Sequence, residues 1–240
     1  MNVGRLLEVM PTISIIVPVL NEAENIEPLV SQIVANHVPF TEMLFVDGGS
    51  TDGTRNAIDA LATRHSIGLI EQDRKSPGLA AAIMAGARAA GGDILVVMDA
   101  DLSHPPERIN DLLVPLFPGA ADMAIGSRYI PGGSTPGWPL WRRTMSRTAS
   151  MFAQPLTGVR DSMCGFFAIS RSRLLQIDPP TSGFKIVFET IVRGGRNLRV
   201  REIPIAFRDR TRGKSKMSFG VALKFLVRWV IAILRYPFRR

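Results

Sequence analysis

Short apolar runs punctuate the chain: Ile13 to Val17, Met43 to Val46, Gly68 to Glu71, Ile94 to Met98 and Met123 to Gly126. Each reads as a strand buried on both faces of a parallel sheet. The first is expected to stop at Pro18, because proline cannot donate to a ladder. Between the runs the period changes. Asn21-Glu22-Ala23-Glu24-Asn25-Ile26 opens a helix whose Ile26, Leu29, Val30, Ile33 and Val34 fall on one face. Further helices are predicted over Arg55 to Arg64 and Leu79 to Ala90. This alternation predicts an α/β fold, a doubly wound and mostly parallel sheet with right-handed crossovers.

After Arg128 the rhythm breaks. Ile130-Pro131-Gly132-Gly133-Ser134-Thr135-Pro136-Gly137 is rich in turn residues and predicts a mobile loop. A helix should follow and end near Leu156. Strands are expected at Phe166 to Ile169 and Val200 to Phe207, with a helix around Phe184 to Val192 between them. Internal repeats and low-complexity tracts are absent from the sequence, which reads as one catalytic domain, 1–216, with a short appendage, 217–240.

The fourth apolar run ends abruptly in Asp99-Ala100-Asp101. Ligands of open α/β sheets bind just outside the carboxyl ends of strands, so both acids would arrive where a substrate sits. Two hard oxygen donors there suit Mg²⁺ or Mn²⁺, whose remaining ligands come from phosphate and water. By itself the pattern fits a strand-to-turn junction with a capping aspartate equally well. Asp47 ends the second run and would reach the same cleft, able to accept hydrogen bonds from a nucleobase or ribose. Asp52, further along the Gly-rich turn, reads instead as a cap for the next helix.

Composition narrows the classes. With 240 residues, 46% hydrophobic and 21% charged, the chain can fill one α/β core. A single cysteine, Cys164, excludes an internal disulfide framework and is expected to be buried and inert. The N-terminus lacks the charged and apolar regions of a signal peptide. The three histidines, His37, His65 and His104, are too few to build a zinc site and read as surface or packing residues. Neither GxGxxG after the first strand nor GxxxxGK[ST] is present, so a nucleotide would be held by carboxylates, metal and arginine rather than a glycine cradle. The net charge of +8 is lopsided: Arg199 to Arg240 holds twelve Lys/Arg against Glu202 and Asp209. Such an excess suggests nucleic acid, anionic membrane or phosphorylated ligands. The bulky apolar residues among those charges favour membrane, and no nucleic-acid-binding module is recognisable.

Seven blocks, PVLNE, VDGGSTDGT, DADLSHPPE, GSRY, WPLWRR, CGFFAISR and RxxGKSK, occur in the order seen in family 2 glycosyltransferases with a GT-A fold. Over residues 12 to 217 the sequence resembles the dolichyl- or polyprenyl-phosphate mannose synthases of that family. The resemblance implies inverting transfer of mannose from GDP-mannose to a polyprenyl or dolichyl phosphate at the cytoplasmic face of a membrane, with Mg²⁺ or Mn²⁺. It also leaves room for a membrane-embedded partner subunit. It implies that Pro18, Leu20, Glu22, Val46 and Asp47 line the nucleotide pocket, and that Asp99, Ala100 and Asp101 hold metal and donor pyrophosphate, with Arg210 on the donor side. Arg128, Arg142, Ser146, Asp161 and Lys216 would gather around the acceptor phosphate, with Asp99, Asp101 and Arg128 carrying the chemistry. Two positions depart from the family pattern: Gly48, where a second acid is common, and Ser103, where some members have Gln.

The chemistry is consistent with that likeness. Arginines give bidentate contacts to phosphate oxygens. An acceptor phosphate is already anionic at neutral pH, so no strong general base is required, in keeping with the absence of an obvious catalytic histidine. A rival donor is UDP-glucose or another nucleotide sugar. A rival role is a non-catalytic binding subunit, against which Asp99, Asp101 and Arg210 together argue. The segment 217–240 is interrupted by Lys224, Arg228 and Arg235, too often for a spanning helix of ~20 apolar residues. It is expected to lie as an amphipathic helix in the headgroup region. A helix packed on the core and the start of a longer membrane region are the alternatives.

Overall fold

The computed structural model describes residues 11–117, 119–180 and 185–209. Arg210, Lys216 and the expected interfacial segment 217–240 lie outside the described residues. Seven strands form one sheet: β1 (Ile13–Val19), β2 (Glu42–Asp47), β3 (Ile67–Glu71), β4 (Ile94–Val97), β5 (Met123–Ser127), β6 (Phe167–Ser170) and β7 (Val200–Pro204). Their spatial order is β3-β2-β1-β4-β6-β5-β7. Only β6 runs against the others, pairing antiparallel with β4 and β5. The expected doubly wound, mostly parallel sheet is present.

β1 continues through Pro18 rather than stopping at it. The Val19 carbonyl accepts from Gly48 on the β2 side, so the neighbouring Pro18 faces β4, where pairing has already ended at Ile16. The missing N–H therefore leaves no gap in a ladder.

Side-chain alternation sorts the core onto two faces. Ile13, Ile15 and Val17 pack with Ile26, Leu29 and Ile33 of α1 (Ala23–Ala35), Ile58 of α2 (Thr54–Ala62) and Leu112 of α4 (Ile109–Leu113). Ile16, Leu44 and Val46 pack on the other side with Ile83, Met84 and Ala87 of α3 (Leu79–Ala89), Leu174 of α6 (Arg171–Ile177) and Ile191 of α7 (Ile186–Gly194). The alanines of α3 let it lie close to the sheet. A Cβ added at Gly86 would stand 2.7 Å from Ile16 Cγ2, so only glycine fits at the crossing. The helix α5 (Leu140–Thr157) buries Ser150, Ala153 and Leu156 and leaves its opposite side in solvent.

The turn-rich segment after Arg128 is pinned, contrary to the expected mobile loop. Ser134 pairs with Ala206, its N–H donating to the Ile205 carbonyl and its own carbonyl accepting from Phe207. A Cβ at Gly133 would collide with the Ser127 carbonyl at 2.5 Å, so this glycine permits the loop to fold down onto the end of β5.

Candidate active site

Six strands deliver their C-terminal ends to one edge of the sheet, and β6 begins there. That edge collects Leu20, Asp47, Asp99, Asp101 and Arg128, together with the Asp161 to Gly165 approach to β6.

The turns after β1 and β2 are laced together. Asn21, at φ 57°, donates its N–H to Ser50 Oγ and accepts the Thr51 N–H on its side chain. Glu22 N–H donates to Thr54 Oγ1, and Ala23 N–H to Asp52. Asp52 also receives the N–H and hydroxyl of Thr54, so it ties the first residue of α2 to that of α1. Asp47 is buried, and both its oxygens are engaged. Oδ1 accepts from the N–H and hydroxyl of Ser50, and Oδ2 from Arg55 Nε at 2.5 Å. Burial by itself would raise its pKa, but the Ser50 hydrogen bonds and Arg55 outweigh that and hold it below the ordinary carboxylate value. Arg55 also reaches Glu71 at 2.6 Å. A side chain at Gly48 would meet Gln72 Oε1 at 3.3 Å, an oxygen aimed there because the Gln72 amide nitrogen donates to Ser76 and Gly78. A side chain there would require Gln72 to give way by a few tenths of an ångström.

Of the other residues expected at the nucleotide, Leu20 is exposed at the strand end and Pro18 is half-buried. Glu22 takes the N-cap position of α1 and accepts from the Asn25 amide at 2.7 Å. Val46 is fully buried against α3, so its side chain offers no surface to a ligand.

Asp99, Ala100 and Asp101 follow β4 directly. Asp101 is buried, and its Oδ1 accepts the Ser103 N–H at 3.1 Å across a turn in which Leu102 takes φ 60°. The Asp99 side chain is 35% exposed. Behind it lies His104, which is buried, stacked on Phe166 at 5.3 Å and edge-on to Phe207. The Asp99 backbone N–H donates to His104 Nδ1 at 2.9 Å. The ring proton therefore sits on Nε2, 3.9 Å from Asp99 Oδ2. The histidine is a packing residue that also fixes the backbone carrying the first acid. The donor set suits a hard divalent cation that takes its other ligands from a diphosphate: two carboxylates on one turn and the buried Ser103 hydroxyl, which has no hydrogen-bond partner among the described residues. Among the described residues no cluster of three or more His, Cys, Asp or Glu could hold a metal by itself.

Across the cleft, Arg128 and Asp161 are bound to each other. Arg128 Nε and Nη2 reach the two carboxylate oxygens at 2.7 and 2.8 Å, and the Arg128 N–H adds a third bond at 2.9 Å. Desolvation opposes the guanidinium charge, but Asp161 more than offsets it and the pKa is raised. The rings of Tyr129, Trp138 and Phe207 surround the guanidinium at 5.2 to 5.4 Å. Asp161 is held in turn by its backbone N–H, which donates to Glu202 on β7. Arg142 stacks on Trp138 at 3.9 Å and pairs with Asp209 at 2.8 Å. Ser146, one helical turn on, is half-buried. Arg128, Tyr129, Ser134, Thr135, Arg143 and Arg147 line an open pocket of about 330 Å³.

Residues 14–178 match the family described as Glycosyl transferase family 2. The chain belongs to this family. It is 38% identical over 226 residues to the dolichol-phosphate mannosyltransferase of Saccharomyces cerevisiae, an alignment covering 89% of this chain and 84% of that one. It is 36% identical over 219 residues to the protein of the same name from Pyrococcus furiosus, covering 89% of this chain and 61% of the longer relative. The glucosyl-3-phosphoglycerate synthase of Mycobacterium tuberculosis, solved with Mn²⁺, UDP and phosphoglyceric acid, superposes with a TM-score of 0.73 at 20% identity, covering 95% of this chain and 80% of that one. The fold is thus GT-A, and the protein is a glycosyltransferase.

Three features of this family 2 glycosyltransferase escaped the sequence. The contact of His104 with Asp99 has as its only sequence signal a five-residue separation across an unusual turn. Lys185 donates to the Met163 carbonyl at 3.3 Å, and loss of hydration lowers its pKa, with Arg128 adding to the effect. Asp161, Cys164 and Asp99 pull the other way. Arg143 and Arg147 join the pocket through helical spacing, and that signal was readable. Cys164 is buried as expected, and burial pushes its thiol up to about 12.

Proposed function

We propose that this glycosyltransferase moves mannose from GDP-mannose to a polyprenyl or dolichyl phosphate, with inversion, at the cytoplasmic face of a membrane. The observation that supports the reading is the position of Asp99 and Asp101 directly after β4, at the sheet's C-terminal edge, in a chain whose relatives bear mannosyltransferase names. Among the described residues no helix is long and apolar enough to cross a membrane.

In this reading Asp99 and Asp101 would hold Mg²⁺ or Mn²⁺, which would supply Lewis-acid stabilisation of the negative charge developing on the diphosphate leaving group. The chain's own residues orient the rest. His104 fixes the Asp99 turn. Arg128, kept in place by Asp161 and its ring of aromatics, lines the pocket with Arg143 and Arg147, and Arg142 and Ser146 of the same helix are proposed to contact the acceptor phosphate. An acceptor phosphate oxygen attacks the anomeric carbon as the bond to the donor's β-phosphate breaks. No proton needs to be removed from the nucleophile. Arg210 and Lys216 are proposed to complete the phosphate contacts, 1–216 to act as the catalytic domain and 217–240 to lie at the membrane.

Incubation with a panel of nucleotide sugars, a polyprenyl phosphate and Mg²⁺, followed by mass analysis of the lipid product, tests this. A mannolipid from GDP-mannose, lost in a folded Asp101→Ala variant, is expected. Preferred transfer from UDP-glucose would overturn the donor, and metal-dependent turnover by Asp101→Ala would overturn the metal assignment.

A further inference from the structure

The turn after β2 leaves a space open at Gly48, which is exposed and carries no side chain. A Cβ built there would stand 3.3 Å from Gln72 Oε1, 3.6 Å from the Val19 carbonyl oxygen and 3.8 Å from Leu20 Cδ1. Two acceptors and one apolar group therefore border a single point at the C-terminal ends of β1, β2 and β3. The direction of the Gln72 carboxamide is fixed. Its nitrogen donates to the Ser76 and Gly78 carbonyls at 2.9 and 2.8 Å, which uses both N–H groups and turns the oxygen toward Gly48. Among the described residues nothing donates to that oxygen.

We propose that Gln72 Oε1 reads the base of the nucleotide donor and selects guanine through its N1–H and 2-amino group. The neighbouring side chains leave it that task. Asp47 is the acceptor expected from the sequence, but its side chain is enclosed and both oxygens are taken by Ser50 and Arg55. Ser50 Oγ and Asn21 Oδ1 accept from backbone N–H groups across the two turns, and Asp52 holds Ala23 and Thr54. Gln72 brings an acceptor without a competing donor. Two oxygens side by side suit the adjacent donors of guanine. Uracil has one N–H between two carbonyls, so the same pair of oxygens would set a carbonyl against an acceptor.

The assignment rests on the donor reading above, in which the diphosphate lies at Asp99 and Asp101. From those acids the sheet runs β4-β1-β2-β3 in one direction and β4-β6-β5, toward Arg128, in the other. Neighbouring strands are about 4.8 Å apart, so the turn at Gly48 lies roughly 10 Å from the end of β4. A nucleoside whose diphosphate is held at β4 extends over that distance, on the side away from the arginine-lined pocket. Leu20, 39% exposed, follows the intervening β1 and covers one face of the base.

Calorimetric titration of the full chain with GDP, inosine diphosphate and UDP in the presence of Mn²⁺ tests the proposal without an acceptor. Inosine diphosphate differs from GDP only in lacking the 2-amino group. The wild type is expected to bind GDP about tenfold more tightly, the scale of one well-made contact to a base edge. Gln72→Met keeps the length of the side chain and removes the acceptor. The ratio should then fall to about twofold or less, with the affinity for inosine diphosphate little changed. Gly48→Ala narrows the same space from the other side and should reduce the ratio as well. A disturbed loop would instead weaken both nucleotides in parallel. That result, a wild-type ratio near one, or a ratio that Gln72→Met leaves unchanged would overturn the role of Gln72 while the donor reading stands. Tighter binding of UDP than of GDP by the wild type would overturn the donor reading itself, and the selection of guanine with it.

Discussion

Arg128 and Asp161 share three hydrogen bonds in the interior of the cleft, the Asp161 side chain fully enclosed and the guanidinium nearly so. The pair joins the end of β5 to the approach of β6, the one strand that runs backwards. Removing one partner strands the other charge away from water, which typically costs about 3–5 kcal/mol. Asp161→Ala is therefore expected to lower unfolding free energy by about that much in a denaturant titration. The double variant Arg128→Met/Asp161→Leu should lose less than Asp161→Ala.

His104 should matter through Asp99. His104→Phe keeps the stack on Phe166 and loses the acceptor for the Asp99 N–H. Partners that orient metal-binding carboxylates are commonly worth 10–100-fold in metal affinity. Titration of Mn²⁺ in the presence of GDP, read by electron paramagnetic resonance, should show weakening in that range with little change in melting temperature. Unaltered Mn²⁺ binding would reduce the histidine to packing.

Acid should expose the role of Asp47. Its pKa is below the ordinary 3.8, so its stabilising contribution is present above that value and is lost as pH falls through the lower, folded-state pKa. Asp47→Asn should melt below wild type at neutral pH, and the gap should close as the pH drops below the ordinary carboxylate range. Melting curves from pH 2 to 7 would show it, and a constant gap would argue for simple loss of packing.

Arg142 is bound to Asp209, which is about half exposed, and stacked on Trp138. An acceptor phosphate would compete with that aspartate. Exposed pairs are weak, roughly 0.2–1 kcal/mol, so Asp209→Asn should lower the acceptor KM by a few-fold at unchanged kcat. Arg142→Ala should raise it.

The sequence alone settled the parallel core and the edge at which chemistry gathers, because apolar runs, helical spacing and strand-end acids are local signals. The position of Asp99, Asp101 and Asp47 at or just past strand ends was readable on that basis. It misjudged Pro18 and the 130–137 loop, whose behaviour depends on which neighbours are present: Pro18 faces a ladder that has already ended, and Ser134 finds a partner in Ala206, more than seventy residues away. The helices α4 and α6 went unread, being too short to establish a period. The pairing of Arg128 with Asp161, the engagement of Asp47 by Arg55 and the seating of His104 behind Asp99 were decided by the tertiary structure. Each depends on the direction a buried side chain takes once distant segments meet, and no spacing along the chain encodes that.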